Sequence, residues 1–204
     1  MNFLAHLLLS GTNEEIILGN FVADFIKGRL TDEKTRSWHP DFLLGVRLHR
    51  FIDSYTDAHP VVRDMKRRIA VQHGKTAGVA GDIYFDHFLA LDFNHYNQVP
   101  FSIFVDTMYA LIQQKNSAIP QAMRPMAQAM IQYDWLRGYR SIDGIRRSLD
   151  GLSRRFAFMQ DLRGAEKELL THFDYYHTAF KLFFPELMQA SALFILQHQD
   201  HHTR

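Results

Sequence analysis

The chain has 204 residues, of which 47% are hydrophobic and 13% are aromatic, so it can bury a sizeable core in one domain. Its 23 basic and 22 acidic residues nearly balance, which argues against nonspecific binding to nucleic acid or to a membrane. It contains no cysteine, so disulfides and thiolate metal ligands are excluded, and we expect a cytoplasmic protein.

The hydrophobic pattern predicts helices along the whole chain. The first segment, MNFLAHLLLS, is too short to span a bilayer and lacks the positive charges of a signal peptide, so we predict a buried first helix. Prolines at 40, 60, 100 and 185 open apolar-periodic segments and are expected in first helical turns. We predict one all-α domain over residues 1–204, with helices near 3–10, 13–27, 41–57, 60–73, 76–94, 100–116, 120–136, 141–158, 161–181 and 185–199.

Polar side chains stand within the apolar faces of the first two predicted helices. His6 in FLAHLLL has apolar residues on every side. In ILGNFVADFIKG, Asn20 and Asp24 are four residues apart, with Ile17 and Phe21 beside them. A spacing of four places both polar side chains on one helix face.

Two later segments repeat the spacing. In LHRFIDSYTDAHP, His49 and Asp53 lie on a helix face away from the apolar stripe, a pattern that by itself is typical of solvated surface. In GDIYFDHFLALDF, Asp82 and Asp86 are surrounded by apolar residues. A buried ionised carboxylate needs a metal, an arginine or a proton to offset its desolvation.

Two interpretations follow from these pairs. Separate helices can converge carboxylates and imidazoles on one point inside a bundle, and such ligands suit Mn²⁺, Mg²⁺ or Fe²⁺. Alternatively, the acids belong to a buried ion network with Arg47, Arg50 or Lys27 as counter-charges. The residues alone leave both interpretations open.

A set of motifs runs through nearly the whole chain in a fixed order. They are MNFLAH, GNFVADFIKG at 19–28, LHRFIDSYTD at 48–57, DIYFDHFLA at 82–90, WLRGYRSIDGI at 135–145, SRR at 153–155 and, near the C-terminus, THFD with FFPELM. Together they resemble the bacterial acyl carrier protein phosphodiesterases, also called holo-ACP hydrolases. The resemblance implies a helical fold distantly related to HD-domain phosphohydrolases, although the adjacent pair here reads Asp86-His87, the reverse of the usual HD order.

The activity implied by the resemblance is hydrolysis of the phosphodiester that joins 4′-phosphopantetheine to a serine of acyl carrier protein, with Mn²⁺ as the favoured metal. On this hypothesis the metal ligands and the general base come from Asp24, His49, Asp53, Asp82, Asp86 and His87. Asn20 and His6 would orient them. Arg50 would hold a phosphate oxygen, or it forms an ordinary surface salt bridge.

The region from Arg124 to Arg163 has a local surplus of positive charge, with eight arginines and four aspartates. An acidic carrier protein could dock on Arg140, Arg146, Arg147, Arg154 and Arg155, or alternatively on Lys66, Arg67 and Arg68. Solvated helix surface is the competing interpretation, and the oligomeric state stays open. Two other functions also stay open: a phosphohydrolase acting on nucleotides or small diesters, and a non-enzymatic helical binding protein with buried ion pairs.

Overall fold

Helices are the regular secondary structure of residues 2–199, the part of the chain that the computed structural model describes, and this part contains no strand. The all-α fold class predicted from the sequence is therefore confirmed. The α-helices are α1 (Phe3–Leu9), α2 (Glu14–Val22), α3 (Asp32–Thr35), α4 (Pro40–Ala58), α5 (Pro60–His73), α6 (Ala77–Leu91), α7 (Phe93–Tyr96), α8 (Phe101–Gln114), α9 (Arg124–Gln132), α10 (Trp135–Gly138), α11 (Ile142–Arg155), α12 (Ala165–Thr171) and α13 (Phe173–Gln199). Short 3₁₀ turns cover Ala23–Phe25, Gly74–Thr76, Asn116–Ala118 and Ala157–Leu162.

The prediction for the C-terminal region was wrong in one respect. Pro185 was expected to open a helix, but it lies inside α13. A proline there removes one backbone hydrogen bond. Phe183, Phe184 and Leu187 are fully buried on both sides of it, and their packing offsets that loss, so the helix continues.

α13 has 27 residues and is long and apolar enough to cross a membrane, by length and composition alone. The core helices of soluble proteins share these properties, and 33% of its most apolar window is buried inside the structure. Its inner face contributes Tyr176 and Phe180 to the hydrophobic core.

The hydrophobic core is one connected cluster that includes residues from α1 to α13. α6 runs through it, and every residue from Ile83 to Ala90 is buried. A helix buried on all sides needs partners for any polar group that it carries. The polar residues of α6 therefore have fixed neighbours inside the core.

α2 and α4 approach each other closely at Gly19 and Gly45. A Cβ atom on Gly19 would lie 2.1 Å from the carbonyl oxygen of Phe42, and a Cβ atom on Gly45 would meet the backbone of α2 at the same distance. Any larger residue at either position would force the helices apart. Since Asn20 follows Gly19 and His49 lies one turn after Gly45, the close approach brings Asn20 and His49 together.

Candidate functional site

Two histidines and two aspartates meet where α1, α4 and the 3₁₀ turn after α2 converge. His6 and His49 stack, with their ring centroids 4.1 Å apart. His6 Nε2 lies 3.3 Å from Asp53 Oδ1, and His49 Nε2 lies 3.2 Å from both Asp24 Oδ1 and Asp53 Oδ2. These four residues are called the His–Asp cluster below.

Asn20 is fully buried and orients both imidazole rings. Its Nδ2 donates to the backbone oxygen of His6 at 3.0 Å and to Ser10 Oγ at 2.8 Å, which turns its Oδ1 toward the histidines. That Oδ1 accepts hydrogen bonds from Nδ1 of His6 at 2.8 Å and from Nδ1 of His49 at 3.1 Å. Both Nε2 atoms are therefore left to face the carboxylates.

The contact between these Nε2 atoms and the carboxylates has a chemical consequence. A neutral imidazole that donates from Nδ1 carries only a lone pair at Nε2. Such a lone pair would repel the carboxylate oxygens of Asp24 and Asp53. The contact becomes favourable when a proton or a metal cation lies between the two groups. The geometry of the His–Asp cluster therefore requires positive charge at its centre.

The pKa values within the His–Asp cluster differ in direction. Burial alone would lower the pKa of His49, but its hydrogen bonds to Asp24 and Asp53 outweigh burial and raise that pKa to about 9. Burial and the charge on His49 lower the pKa of His6. Burial would raise the pKa of Asp53, but hydrogen bonds to both histidines hold it well below its usual range. The hydrogen bond to His49 lowers the pKa of Asp24. At neutral pH the cluster thus holds two carboxylates and one imidazolium.

The donor atoms of the cluster fit a divalent ion. One ligand atom from each of His6, His49 and Asp53 lies within 4.8 Å of the others. Imidazole nitrogen together with carboxylate oxygen suits first-row divalent metals. The side chain of Asp24 is 66% exposed, so it stands at the solvent side of His49. His6, predicted from the sequence only to orient the ligands, therefore lies in the group of candidate ligands itself.

Asp86 on α6 has different partners. Its carboxylate accepts hydrogen bonds from the backbone N–H groups of Leu4 at 2.8 Å and Ala5 at 3.3 Å. These are free N–H groups in the first turn of α1. Burial raises the pKa of Asp86 to about 7, although the backbone hydrogen bonds oppose the rise. Asp86 therefore holds the start of the helix that carries His6.

Asp82 and His87, the other residues of α6 that were predicted as ligands, also lie outside the group of donor atoms. Asp82 Oδ1 is 3.9 Å from Lys66 Nζ. His87 Nδ1 donates to the carbonyl oxygen of Tyr139 at 2.6 Å, and its buried Nε2 has no partner among the described residues. The structure thus brings together the predicted residues of α1, α2 and α4 but not those of α6.

Arg50 fastens the loop that follows Asp24. Its Nη2 donates to the backbone oxygens of Ile26 at 3.1 Å and Gly28 at 2.8 Å. This contact ties the loop to α4 and so positions Asp24 relative to His49. Although Arg50 follows His49 in the sequence, its Nη2 thus contacts backbone oxygens rather than the side chains of the His–Asp cluster.

The predicted docking arginines lie on α11 and just before it. Arg146 pairs with Asp143 at 3.1 Å, and the guanidinium of Arg140 lies 5.4 Å from the ring centroid of Phe101. Arg154 is exposed, whereas Arg147 and Arg155 line a cavity. The alternative set, Lys66, Arg67 and Arg68, is engaged with Asp57, Asp64 and His172.

The sequence analysis missed three features that shape this region. One is Ser10, which accepts from Asn20; its position after the apolar run gave no signal. The second is the close approach at Gly19 and Gly45, which glycines inside apolar helical patterns could have indicated. The third is a cavity of about 580 Å³ between the start of α1 and helices α9, α10 and α11.

Comparisons with known proteins identify related sequences. The model of the family described as acyl carrier protein phosphodiesterase matches residues 1–187. A protein named acyl carrier protein phosphodiesterase from Escherichia coli O6:H1 is 32% identical over 196 residues, covering 94% of this chain and 98% of the relative. One of the same name from Enterobacter sp. is 30% identical over 189 residues, covering 92% of this chain and 96% of the relative. No solved structure matches.

Proposed function

Because the chain belongs to the acyl carrier protein phosphodiesterase family, we propose that it hydrolyses holo-acyl carrier protein to apo-acyl carrier protein and 4′-phosphopantetheine with a divalent metal ion at the His–Asp cluster. The family match covers most of the chain and confirms the resemblance predicted from the motifs. The family comprises hydrolases of phosphodiester bonds, so the chain is an enzyme of that class.

One observation carries the assignment of the site. The Nε2 atoms of His6 and His49 both face carboxylate oxygens at 3.2 to 3.3 Å while Asn20 accepts from both Nδ1 atoms. An ion pair that serves only stability needs one histidine facing a carboxylate. Two stacked histidines with a shared orienting amide are better suited to binding a cation.

We propose Mn²⁺ as the resident ion, with Mg²⁺ or Fe²⁺ as alternatives. His6, His49 and Asp53 would hold it, because their donor atoms form the compact group. A divalent ion bound there would acidify a water molecule and polarise the phosphoryl oxygens.

Asp24 is our candidate for the general base. Its side chain is the more exposed of the two carboxylates in the cluster, 66% against 44% for Asp53. In this structure the contact with His49 lowers the pKa of Asp24, and a divalent ion bound at His49 would favour the ionised carboxylate in the same direction. In the proposed reaction Asp24 accepts a proton from the attacking water, the water oxygen bonds to phosphorus, and the bond from phosphorus to the carrier serine oxygen breaks. The proton then passes to that serine oxygen. Arg50 positions Asp24 by holding the following loop.

The carrier itself is proposed to dock on the exposed arginines of α11. Acidic carriers are attracted by such a surface, which speeds the encounter and orients the partner. Arg154 is exposed and makes no ion pair with the described residues. We expect Arg154→Glu to raise KM for the carrier, and we expect the difference from the parent protein to shrink at high salt because exposed charges are screened.

Intact-mass spectrometry of holo-carrier tests the proposed function. Incubation with the protein and Mn²⁺ should remove the mass of the prosthetic group, and a chelator should prevent the removal. His49→Ala should abolish the reaction. Asp57→Asn is a matched control, because Asp57 lies on the same helix as Asp53 but pairs with Lys66 at 2.7 Å. Hydrolysis of small diesters with an unchanged carrier mass would instead indicate another phosphohydrolase, and a protein without metal or activity would indicate a binding protein.

A further inference from the structure

The cavity of about 580 Å³ lies outside the His–Asp cluster and has no assigned role. It is bounded by the start of α1 and by helices α9, α10 and α11, and its volume falls in the range that holds small organic ligands. The walls are mainly apolar, with Met126, Trp135 and Leu152 among the lining residues. A binding site for an elongated, largely uncharged group would have these properties.

The cavity adjoins the His–Asp cluster. Asn2 and Phe3 line the cavity, and the same two residues line a second, small pocket that is formed with His6, Asp24 and His49. The start of α1 is therefore a shared wall between the two spaces. A ligand whose reactive group lies at the cluster would reach the cavity by passing Asn2 and Phe3.

Tyr139 supplies a polar group at the cavity wall. The residue is 2% exposed, and its hydroxyl makes no hydrogen bond to another described residue. Because this hydroxyl keeps some solvent access, a bound water or a ligand group can satisfy it. An amide group of a ligand in the cavity could accept from this hydroxyl or donate to it.

We propose that this cavity binds the pantetheine arm of the carrier while the phosphodiester lies at the His–Asp cluster, an inference that rests on the proposed function. The phosphodiester has two substituents, a serine of a folded protein and the pantetheine chain. The folded protein is too large for a cavity of this size. The pantetheine chain, with a dimethyl group, two amides and a thiol, matches both the apolar walls and the Tyr139 hydroxyl.

Two arginines mark the α11 side of the cavity. Arg147 and Arg155 lie eight residues apart on one face of α11, with Gly151 between them. Arg147 makes no ion pair with the described residues, and the Arg155 guanidinium lies 5.2 Å from the ring centroid of Phe156. Their exposed charges would attract an acidic carrier surface to the α11 rim of the cavity.

Gly151 lines the cavity and offers a position where a side chain can be added without moving the backbone. A Cβ atom at this position meets no atom within 4 Å, so a side chain there projects into open space. We expect Gly151→Leu to lower kcat/KM for holo-carrier about tenfold more than it lowers kcat/KM for a small diester such as bis(4-nitrophenyl) phosphate, which lacks the arm. Gln128→Leu, which places the same leucine at an exposed position of α9 that does not line the cavity, should leave kcat/KM for both substrates unchanged. Equal losses on both substrates, or no loss on the carrier, would overturn the proposal.

Binding of free pantetheine tests the cavity independently of turnover. Trp135 lines the cavity, and the other tryptophan, Trp38, can be replaced by phenylalanine to isolate its fluorescence. Pantetheine lacks the phosphate, so a saturable change in Trp135 fluorescence reports the arm alone. Tyr139→Phe should weaken this binding several-fold, and Gly151→Leu should remove it. Circular dichroism and thermal melting verify that each variant is folded.

The two experiments distinguish failure of the inference from failure of the proposed function. If the parent protein leaves holo-carrier unchanged but Trp135 responds to pantetheine, the arm site stands and the assigned reaction fails. If the parent protein hydrolyses the carrier but Trp135 fluorescence does not respond at saturating pantetheine, the cavity is not the arm site. A Trp135 response that survives in the folded Gly151→Leu variant also overturns the inference.

Discussion

Asp53 on α4 and Asp86 on α6 are both the second member of a polar pair spaced by four residues, yet the structure uses them differently. Asp53 forms hydrogen bonds with the imidazole nitrogens of His6 and His49, and these bonds lower its pKa. Asp86 faces two backbone N–H groups of α1, and burial raises its pKa to about 7. The spacing selects a helix face, but the groups across from that face decide whether the carboxylate contacts imidazole rings or backbone N–H groups.

The largest expected difference between the two carboxylates is in activity. Asp53→Asn removes the charge that completes the group of donor atoms with His6 and His49. We expect kcat for holo-carrier to fall about 1,000-fold, which corresponds to roughly 4 kcal/mol of transition-state stabilisation. Initial rates from intact-mass measurements check this, and thermal melting controls for unfolding. A variant that keeps a tenth of the parent rate would remove Asp53 from the site.

For the free energy of unfolding, we expect the larger loss at Asp86 rather than at Asp53. Asp86→Ala deprives the N–H groups of Leu4 and Ala5 of their acceptor inside the core, and we expect the free energy of unfolding to fall by about 2 to 3 kcal/mol. Urea denaturation measures this loss. Asp86→Asn keeps one acceptor oxygen and should lose less. If unfolding were unchanged while Mn²⁺ affinity dropped, Asp86 would belong to the metal ligands, as the sequence predicted.

Much of the fold followed from the sequence because helix boundaries are local. Proline at the first turn marked the starts of α4 and α5, and both helices match the predicted ranges closely. The same argument gave a wrong prediction at Pro185, which lies inside α13. There the packing of the buried apolar side chains on either side stabilises the helix by more than the lost backbone hydrogen bond costs. Tertiary packing therefore determines that the helix continues through the proline, and the local sequence pattern does not contain this information.

The candidate site was predictable only in part. Buried polar residues indicated His6 and Asn20, and the structure brings them to His49. The residues of α6 carried an equal signal, but Asp86 and His87 hydrogen-bond to backbone groups of other segments, which the pattern of side chains in the sequence does not reveal. The cavity could not be predicted from the sequence for a related reason. Its walls come from four segments of the chain, and its existence depends on how those segments pack.

The pH dependence of stability sharpens the comparison further. Burial raises the pKa of Asp86 above the ordinary value of 3.8, so the folded chain binds this proton more tightly than the unfolded chain. The resulting stabilisation is present below the unfolded pKa and is lost as pH rises through about 7. Relative to Asp86→Asn, which does not titrate, the parent protein should lose roughly 2 kcal/mol between pH 5 and pH 7, because the unfolded carboxyl is already ionised there while the folded one keeps its proton up to about pH 7. Urea denaturation of both proteins at pH 5 and pH 7 measures this loss. If the difference in free energy of unfolding between the two proteins were the same at both pH values, Asp86 would have an ordinary pKa.

The smallest effect is expected at Asp82, the first member of the pair on α6. Its carboxylate lies 3.9 Å from Lys66 Nζ, and the two side chains are 30% and 22% exposed. A long, partly solvated ion pair contributes little, so loss of the Lys66 contact in Asp82→Asn should by itself change the free energy of unfolding by less than about 0.5 kcal/mol and the carrier rate by less than about twofold. The same urea and intact-mass assays apply. A tenfold loss of both Mn²⁺ affinity and rate would mean that α6 reaches the metal after all, since loss of the Lys66 contact alone cannot weaken metal binding.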